Sequence, residues 1–430
     1  MKELWQRASA VLCDTYTRMP VTLVEGEGAW VVTDRGERLL DGVAGIAVNV
    51  LGHGHPALVE AVSGQVARLA HASNLYFTEP QVRLAEMLVA SAFPSRVFLS
   101  NSGAEANEAA IKIARKWGRT RRSGASVIVT LTGAFHGRTL ATLAATASPR
   151  YGEPFQPLPG GFRQVARGDL GALEAALDEQ VAAILLEPVQ GESGVFPLPL
   201  EYLAAARELC DRHDCLLIVD EVQSGMGRTG RMWAHQWSGI VPDVMTVAKG
   251  LGGGLPIGAT LAGPRADVFE PGDHGSTFGG SPLACAAAVA VLDTIRREGL
   301  VENAARVGER LRSGILALAA AGHPVLEVRG RGLMLGVGLR LPIAREVALA
   351  GLNAGLLVNP VGQRTLRLLP ALTLSEAEAD LMVERLAASL AAASRLPGRG
   401  GPGRRRPGGA SEEREGSGGR RPTAPDSDLR

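Results

Sequence analysis

The sequence predicts an α/β fold, with a large domain built on a mostly parallel sheet followed by a smaller α+β domain. Three observations carry that expectation. Apolar runs of strand length alternate with helical stretches between residues 104 and 219, the signature of βαβ units with parallel strands. From Pro282 an alanine-rich helical stretch breaks the alternation, and further helices and short strands follow it. A chain of 430 residues is also long enough to build more than one core.

Taken in order, Gly26 to Glu37 reads as a small hairpin with Asp34-Arg35-Gly36 as its turn, a glycine-containing three-residue loop that suits a hairpin. His53-Gly54-His55-Pro56 reads as a glycine-proline turn leading into a helix that carries Leu58, Val59 and Val62. Carboxylate or cysteine partners at ligand spacing are missing around these histidines, so no metal site is expected. Ala104 to Trp117 is expected as helix, Val127 to Leu131 as strand, Asp169 to Leu177 as helix and Val181 to Leu186 as strand. Leu200 to His213 then reads as helix and Leu216 to Val219 as strand; the short continuous apolar runs suit strands buried on both faces. Leu283 to Arg297 begins the smaller domain as a long helix, with short strands at Leu333 to Leu339, Leu356 to Val358 and Thr365 to Leu369. Residues 395–430 are rich in Gly, Pro, Arg, Ser and Glu. They bury too little apolar surface to offset ordering entropy and are expected to be a disordered tail.

Hydrophobic residues make up 46% of the chain, charged residues 21%, and the net charge is +1. That balance gives no bias toward nucleic acid or a membrane surface. No apolar run approaches the ~18 residues of a membrane span, and Glu3, Arg7 and Asp14 interrupt any signal-peptide core. The expected location is the cytoplasm. Cys13, Cys210, Cys215 and Cys285 follow neither a zinc nor a disulfide spacing and read as reduced thiols.

Two segments carry the strongest chemical signal. Leu216-Leu217-Ile218-Val219 ends in Asp220-Glu221-Val222-Gln223, and Thr246-Val247-Ala248 leads to Lys249, followed by Gly250, Gly252, Gly253 and Gly254. Open α/β sheets hold ligands just beyond the carboxyl ends of their strands, where Asp220 falls. Singly, a charged residue at either position is ordinarily solvated. Together, an amine able to hold an aldehyde as a Schiff base and a carboxylate able to keep a pyridine nitrogen protonated are what pyridoxal 5'-phosphate requires. Ser102-Gly103-Ala104 opens a helix near Glu105 and offers free amides and a helix dipole to a phosphate. A plain serine N-cap gives the same pattern. A nucleotide loop over Gly250 to Gly254 is disfavoured, because the Gly-x-x-x-x-Gly-Lys-Ser/Thr order is absent.

From about Tyr16 to about Leu372 the chain resembles the class III pyridoxal phosphate-dependent aminotransferases. The resemblance runs through Gly45-Ile46-Ala47-Val48-Asn49, Leu51-Gly52-His53-Gly54-His55-Pro56, Asn101-Ser102-Gly103-Ala104-Glu105-Ala106-Asn107-Glu108-Ala109, Gly133-Ala134-Phe135-His136-Gly137-Arg138-Thr139 and Glu187-Pro188-Val189-Gln190-Gly191-Glu192. It implies fold type I of the pyridoxal phosphate-dependent transferases. Residues 1–50 would pack with the small domain 282–394, residues 51–281 would form the cofactor-binding domain, and the active site would lie between domains. The family pattern does not include the tail.

The same resemblance assigns roles. Ser102, Gly103 and Ala104 become the phosphate cradle, Lys249 the Schiff-base lysine and Asp220 the partner of the ring nitrogen. Phe135 lies on the cofactor's face and Gln223 near its phenolic oxygen. Thr277, in Gly275-Ser276-Thr277-Phe278-Gly279-Gly280, reaches the phosphate of the neighbouring subunit, which implies a homodimer with shared active sites. Arg138, with Ser276 nearby, takes a substrate carboxylate, and Arg367 grips the α-carboxylate of 2-oxoglutarate, since a guanidinium matches a carboxylate with two parallel hydrogen bonds. Glu192 reads as a gate that pairs with Arg367 while the amino donor binds and then swings away; a static ion pair is the alternative. Ser193 stands where relatives usually have a second glycine. The implied reaction is ping-pong transfer from N2-acetyl-L-ornithine to 2-oxoglutarate, giving N-acetyl-L-glutamate 5-semialdehyde and L-glutamate in arginine biosynthesis. Alternatives are a related ω-aminotransferase acting on ornithine, succinylornithine or a lysine-pathway intermediate, and a same-fold aminomutase.

Overall fold

Every residue of Val181–Leu186 and Leu216–Asp220 is buried, as strands covered on both faces require. In the computed structural model, which describes residues 2–146 and 148–395, these two strands form the centre of a seven-stranded sheet. The order across it is Arg96–Ser100, Gly258–Ala262, Val244–Val247, Leu216–Asp220, Val181–Leu186, Val127–Leu131 and Phe162–Val165. Only Gly258–Ala262 runs antiparallel to its neighbours; the other pairings are parallel, so the sheet is mostly parallel as expected. Alternate residues face opposite layers. Ala183, Leu185, Leu216 and Ile218 pack with Ala110, Ile113 and Trp117 of the helix Gly103–Arg121. Ile184, Leu186, Leu217 and Val219 pack with Tyr202, Leu203, Ala206 and Leu209 of the helix Leu200–Arg212.

Strands Val127–Leu131 and Val181–Leu186 have the bounds expected from sequence. The helix expected from Asp169 is shorter, Leu170–Ala175, because Asp169 is its N-cap and accepts a hydrogen bond from the Ala172 amide at 2.9 Å. The N-terminal hairpin is larger than expected. Leu23–Glu27, Trp30–Thr33 and Arg38–Asp41 form an antiparallel meander with a first reversal at Gly28, whose φ of +55° favours glycine. Leu356–Leu357 then adds to Arg38–Asp41 in parallel, and Trp30 Nε1 donates to Glu378 Oε1 at 2.9 Å. A second antiparallel sheet comprises Val325–Arg331, Met334–Leu339, Thr365–Leu368 and Asn359–Val361.

One apolar cluster joins Met245, Val247 and Leu261 of the large sheet, Cys285, Ala288 and Val291 of the helix Pro282–Arg297, and Leu335, Leu366 and Leu386. Among the described residues no helix is long and apolar enough to cross a membrane, and all four cysteines are unpaired. The expected tail, beyond Arg395, lies outside the described residues.

Candidate active site

Asp220 ends its strand 3% exposed. Its Oδ2 accepts a hydrogen bond from Asn107 Nδ2 at 2.7 Å and lies 2.8 Å from His136 Nδ1, while Oδ1 accepts from the Val222 amide at 3.0 Å. The Asn107 carboxamide is fully used: Nδ2 also donates to the His136 carbonyl at 2.8 Å, and Oδ1 accepts from Thr246 Oγ1 at 2.7 Å. A carboxylate held by this many donors is fixed in orientation. Neither Asn107 nor His136 is singled out by sequence reasoning. The available signal was the placement of both in polar-rich blocks, with Asn107 on the buried face of its helix.

Facing this carboxylate, the helix Gly103–Arg121 begins with Ser102, whose Oγ accepts from the Glu105 amide at 3.2 Å. The Gly103 and Ala104 amides have no acceptor among the described residues, as expected for a first turn. A Cβ on Gly103 would lie 2.7 Å from Val222 Cγ1. The helix end therefore approaches the Asp220 loop this closely only through a glycine.

Lys249 is half-buried, has a left-handed φ of +43° and forms no hydrogen bond or ion pair among the described residues. Burial holds its ammonium below the ordinary lysine range; Glu192 opposes that shift, while Arg367 adds to it and Asp220 and Glu187 lie within electrostatic reach. Glu187, which sequence reasoning also missed, is buried and accepts from the Phe135 amide at 2.9 Å. Burial, reinforced by Asp220, pushes its carboxyl well above the usual range. Glu187 thereby pins the backbone under the Phe135 ring.

The expected Glu192 and Arg367 pair is present. Arg367 is 2% exposed and donates Nη1 to Glu192 Oε1 at 2.6 Å and to Gln223 Oε1 at 3.2 Å, while Nε and Nη2 reach Asn359 Oδ1 at 3.0 and 2.8 Å. Burial pushes the Glu192 carboxyl up, yet the Arg367 charge and hydrogen bond outweigh it and leave it below the ordinary range. Gln223 Nε2 donates to Glu192 Oε1 at 3.3 Å, so Gln223 bridges both members of the pair. A Cβ on Gly191 would lie 2.0 Å from Gln223 Oε1, so any other residue there would displace the Gln223 carboxamide from this bridge.

Arg138 is exposed and without an ion-pair partner among the described residues; its Cζ lies 3.9 Å from the Tyr151 ring centroid and 5.4 Å from that of Phe135. Cation–π contacts hold the guanidinium while leaving its donors free. Ser276 is not brought to Arg138. Its Oγ accepts from Asn101 Nδ2 at 3.0 Å and from the Gly279 amide at 2.9 Å, beside the helix end at Ser102. Thr277 is exposed and hydrogen-bonds no group among the described residues.

A pyridine ring that must stay protonated, an aldehyde and a phosphate would meet here a firmly oriented carboxylate, an unpartnered amine and free helix amides. The donor set fits pyridoxal phosphate. The fold and site together define a pyridoxal phosphate-dependent transferase of fold type I. The Aminotransferase class-III profile matches residues 12–390, and the chain belongs to the class III aminotransferases, which transfer an amino group between an amino donor and a keto acid. An acetylornithine aminotransferase from Mycobacterium tuberculosis is 51% identical over 395 residues, covering 91% of this chain and 96% of that protein. Among solved structures, an ornithine aminotransferase from Toxoplasma gondii superposes with a TM-score of 0.89 at 33% identity, covering 92% of this chain and 96% of its own. An N-acetylornithine aminotransferase from Stenotrophomonas maltophilia gives 0.78 at 40% identity, covering 90% and 98%.

Proposed function

We propose that the protein transfers the terminal amino group of N2-acetyl-L-ornithine to 2-oxoglutarate, giving N-acetyl-L-glutamate 5-semialdehyde and L-glutamate, a step of arginine biosynthesis. The observation that carries this reading is a pair of unlike arginines. Arg138 is unpaired and permanently available, whereas Arg367 is available only when Glu192 leaves it. A donor with one carboxylate and an acceptor with two need such a pair of sites. The acetylornithine enzyme at 51% identity supports the acylated donor.

When bound, the cofactor supplies an electron-accepting ring conjugated to the substrate's amino carbon. Ser102, Gly103 and Ala104 would hold its phosphate, Asp220 would keep the proton on its ring nitrogen, Phe135 would cover one ring face and Gln223 would lie near its phenolic oxygen. Lys249 anchors the aldehyde. With its amine free, Lys249 would carry the proton taken from the donor's amino-bearing carbon; its burial favours the neutral form this requires. Arg138 orients the donor's carboxylate, and Arg367 grips the α-carboxylate of 2-oxoglutarate. Exposure of Thr277 suits a role at the neighbouring subunit's phosphate, in a homodimer with shared sites. Four unpaired thiols suit a cytoplasmic setting. The pairing of Leu356–Leu357 with Arg38–Asp41 supports grouping residues 1–50 with a small domain of 282–394, beside a cofactor-binding domain of 51–281.

A gating Glu192 has a measurable signature. In Glu192→Gln the Arg367 site stays open, so the single-turnover rate with glutamate relative to N-acetylornithine is expected to rise about tenfold, as loss of one charge-assisted contact implies. Equal changes in both half-reactions would mark a static pair instead.

The donor is tested by following the yellow absorbance of the purified holoenzyme on mixing with N-acetylornithine, and separately with ornithine, without keto acid. Rapid bleaching by N-acetylornithine and slow bleaching by ornithine are expected. The reverse order would replace the donor with ornithine, the second reading favoured by the 0.89 superposition on an ornithine aminotransferase.

A further inference from the structure

A cavity of about 630 Å³ lies beside Trp237 and plays no part in the chemistry above. The helix Leu300–Ala320 contributes Glu309 and Arg312 to its wall, and the strand Val325–Arg331 contributes Arg329 and Arg331. The volume falls in the range of small-molecule sites. Its walls are fixed by direct backbone contact: a Cβ on Gly308 would lie 2.2 Å from the Gly332 carbonyl oxygen.

The charges in this cavity do not balance. Arg329 is engaged, pairing with Glu327 and donating Nη2 to the Gly194 carbonyl at 2.9 Å. Arg312 and Arg331 have no carboxylate within ion-pair distance among the described residues. The Arg331 guanidinium lies 5.0 Å from the Trp237 ring centroid, as does that of Arg231, which is likewise unpaired. Indole contact fixes these guanidiniums in place without using their N–H donors. The one carboxylate lining the cavity, Glu309, accepts from Ser313 Oγ at 3.2 Å and does not neutralise them. Arg312 and Arg331 are half-buried and line the same cavity with unused donors, an arrangement that favours an anion able to accept from both.

We propose that this cavity binds a compact dianion, a phosphate group or a dicarboxylate, between Arg312 and Arg331, with Trp237 forming one wall. The site is separate from the arginines proposed for the substrates and does not rest on the donor assignment.

Calorimetric titration of the holoenzyme with inorganic phosphate, and separately with succinate, tests it against the double variant Arg312→Ala/Arg331→Ala. The wild type is expected to show a binding event that weakens about a hundredfold in the double variant, as loss of two charge-assisted contacts implies, while turnover at saturating substrates is unchanged. The probe that binds more tightly identifies the phosphate or the dicarboxylate source. Arg331→Gln alone, expected to weaken binding about tenfold, serves if the double variant does not fold. Equal affinity in wild type and variants, or no heat from either probe in the wild type, overturns the proposal.

Discussion

Lys249→Ala is expected to lower turnover roughly ten-thousand-fold, because the proposed mechanism asks one side chain for both the covalent anchor and the proton carrier. The variant should still fold and retain cofactor. Lys249 makes no hydrogen bond or ion pair among the described residues, so its removal orphans no buried partner. The helix start at Gly103 and Ala104, proposed to hold the phosphate, and the carboxylate at Asp220 are also untouched. The check is single-turnover kinetics on protein whose cofactor content is measured independently. Near-normal turnover would remove Lys249 from the mechanism.

The second large effect is expected at Asp220. Asp220→Ala removes the charge that would hold the ring nitrogen protonated, and activity should fall about a thousandfold, comparable to losing a preorganised electrostatic contact. Unlike the lysine variant it should also lose stability. His136 Nδ1 would lose its acceptor inside the core and Asn107 Nδ2 one of its two, at about 1–3 kcal/mol for each unmet donor. Asp220→Asn keeps the shape and recovers part of the stability without recovering the charge. Thermal unfolding measured beside turnover separates these consequences, and equal loss of activity in a variant of unchanged stability would place the role in charge alone.

These two residues were legible in the sequence because each ends or follows an apolar run, and such runs become strands wherever both faces are covered. Val181–Leu186 shows why: six apolar residues in succession leave no polar face for water, so the segment is a central strand by elimination. Gly258–Ala262 is just as buried but gave no signal, because Gly-Ala-Thr-Leu-Ala is short, small and weakly β-forming. Its conformation comes from pairing with Val244–Val247 on one side and Arg96–Ser100 on the other. The same limit applies at the site. Asn107 and Asp220 are 113 positions apart, and nothing local marks an asparagine in an alanine-rich helix as the partner of a distant carboxylate. Asn359 and Glu187 were missed for the same reason. Gln223 was legible as a site residue, but its bridge between Glu192 and Arg367 emerges only when three separate segments meet.

The meander at the start of the chain has a consequence for biosynthesis. Trp30 and Glu378, which share a hydrogen bond, are 348 positions apart, and the strand that completes this sheet, Leu356–Leu357, comes from near the same end of the chain. At ribosomal speeds, tens of seconds separate the appearance of the first strands from that of their partner. Throughout that interval Arg38–Asp41 presents an unpaired edge of the kind that invites pairing with a foreign strand. Slower decoding ahead of Leu356 would lengthen the exposure of this edge to misassembly without altering a single residue of the finished enzyme.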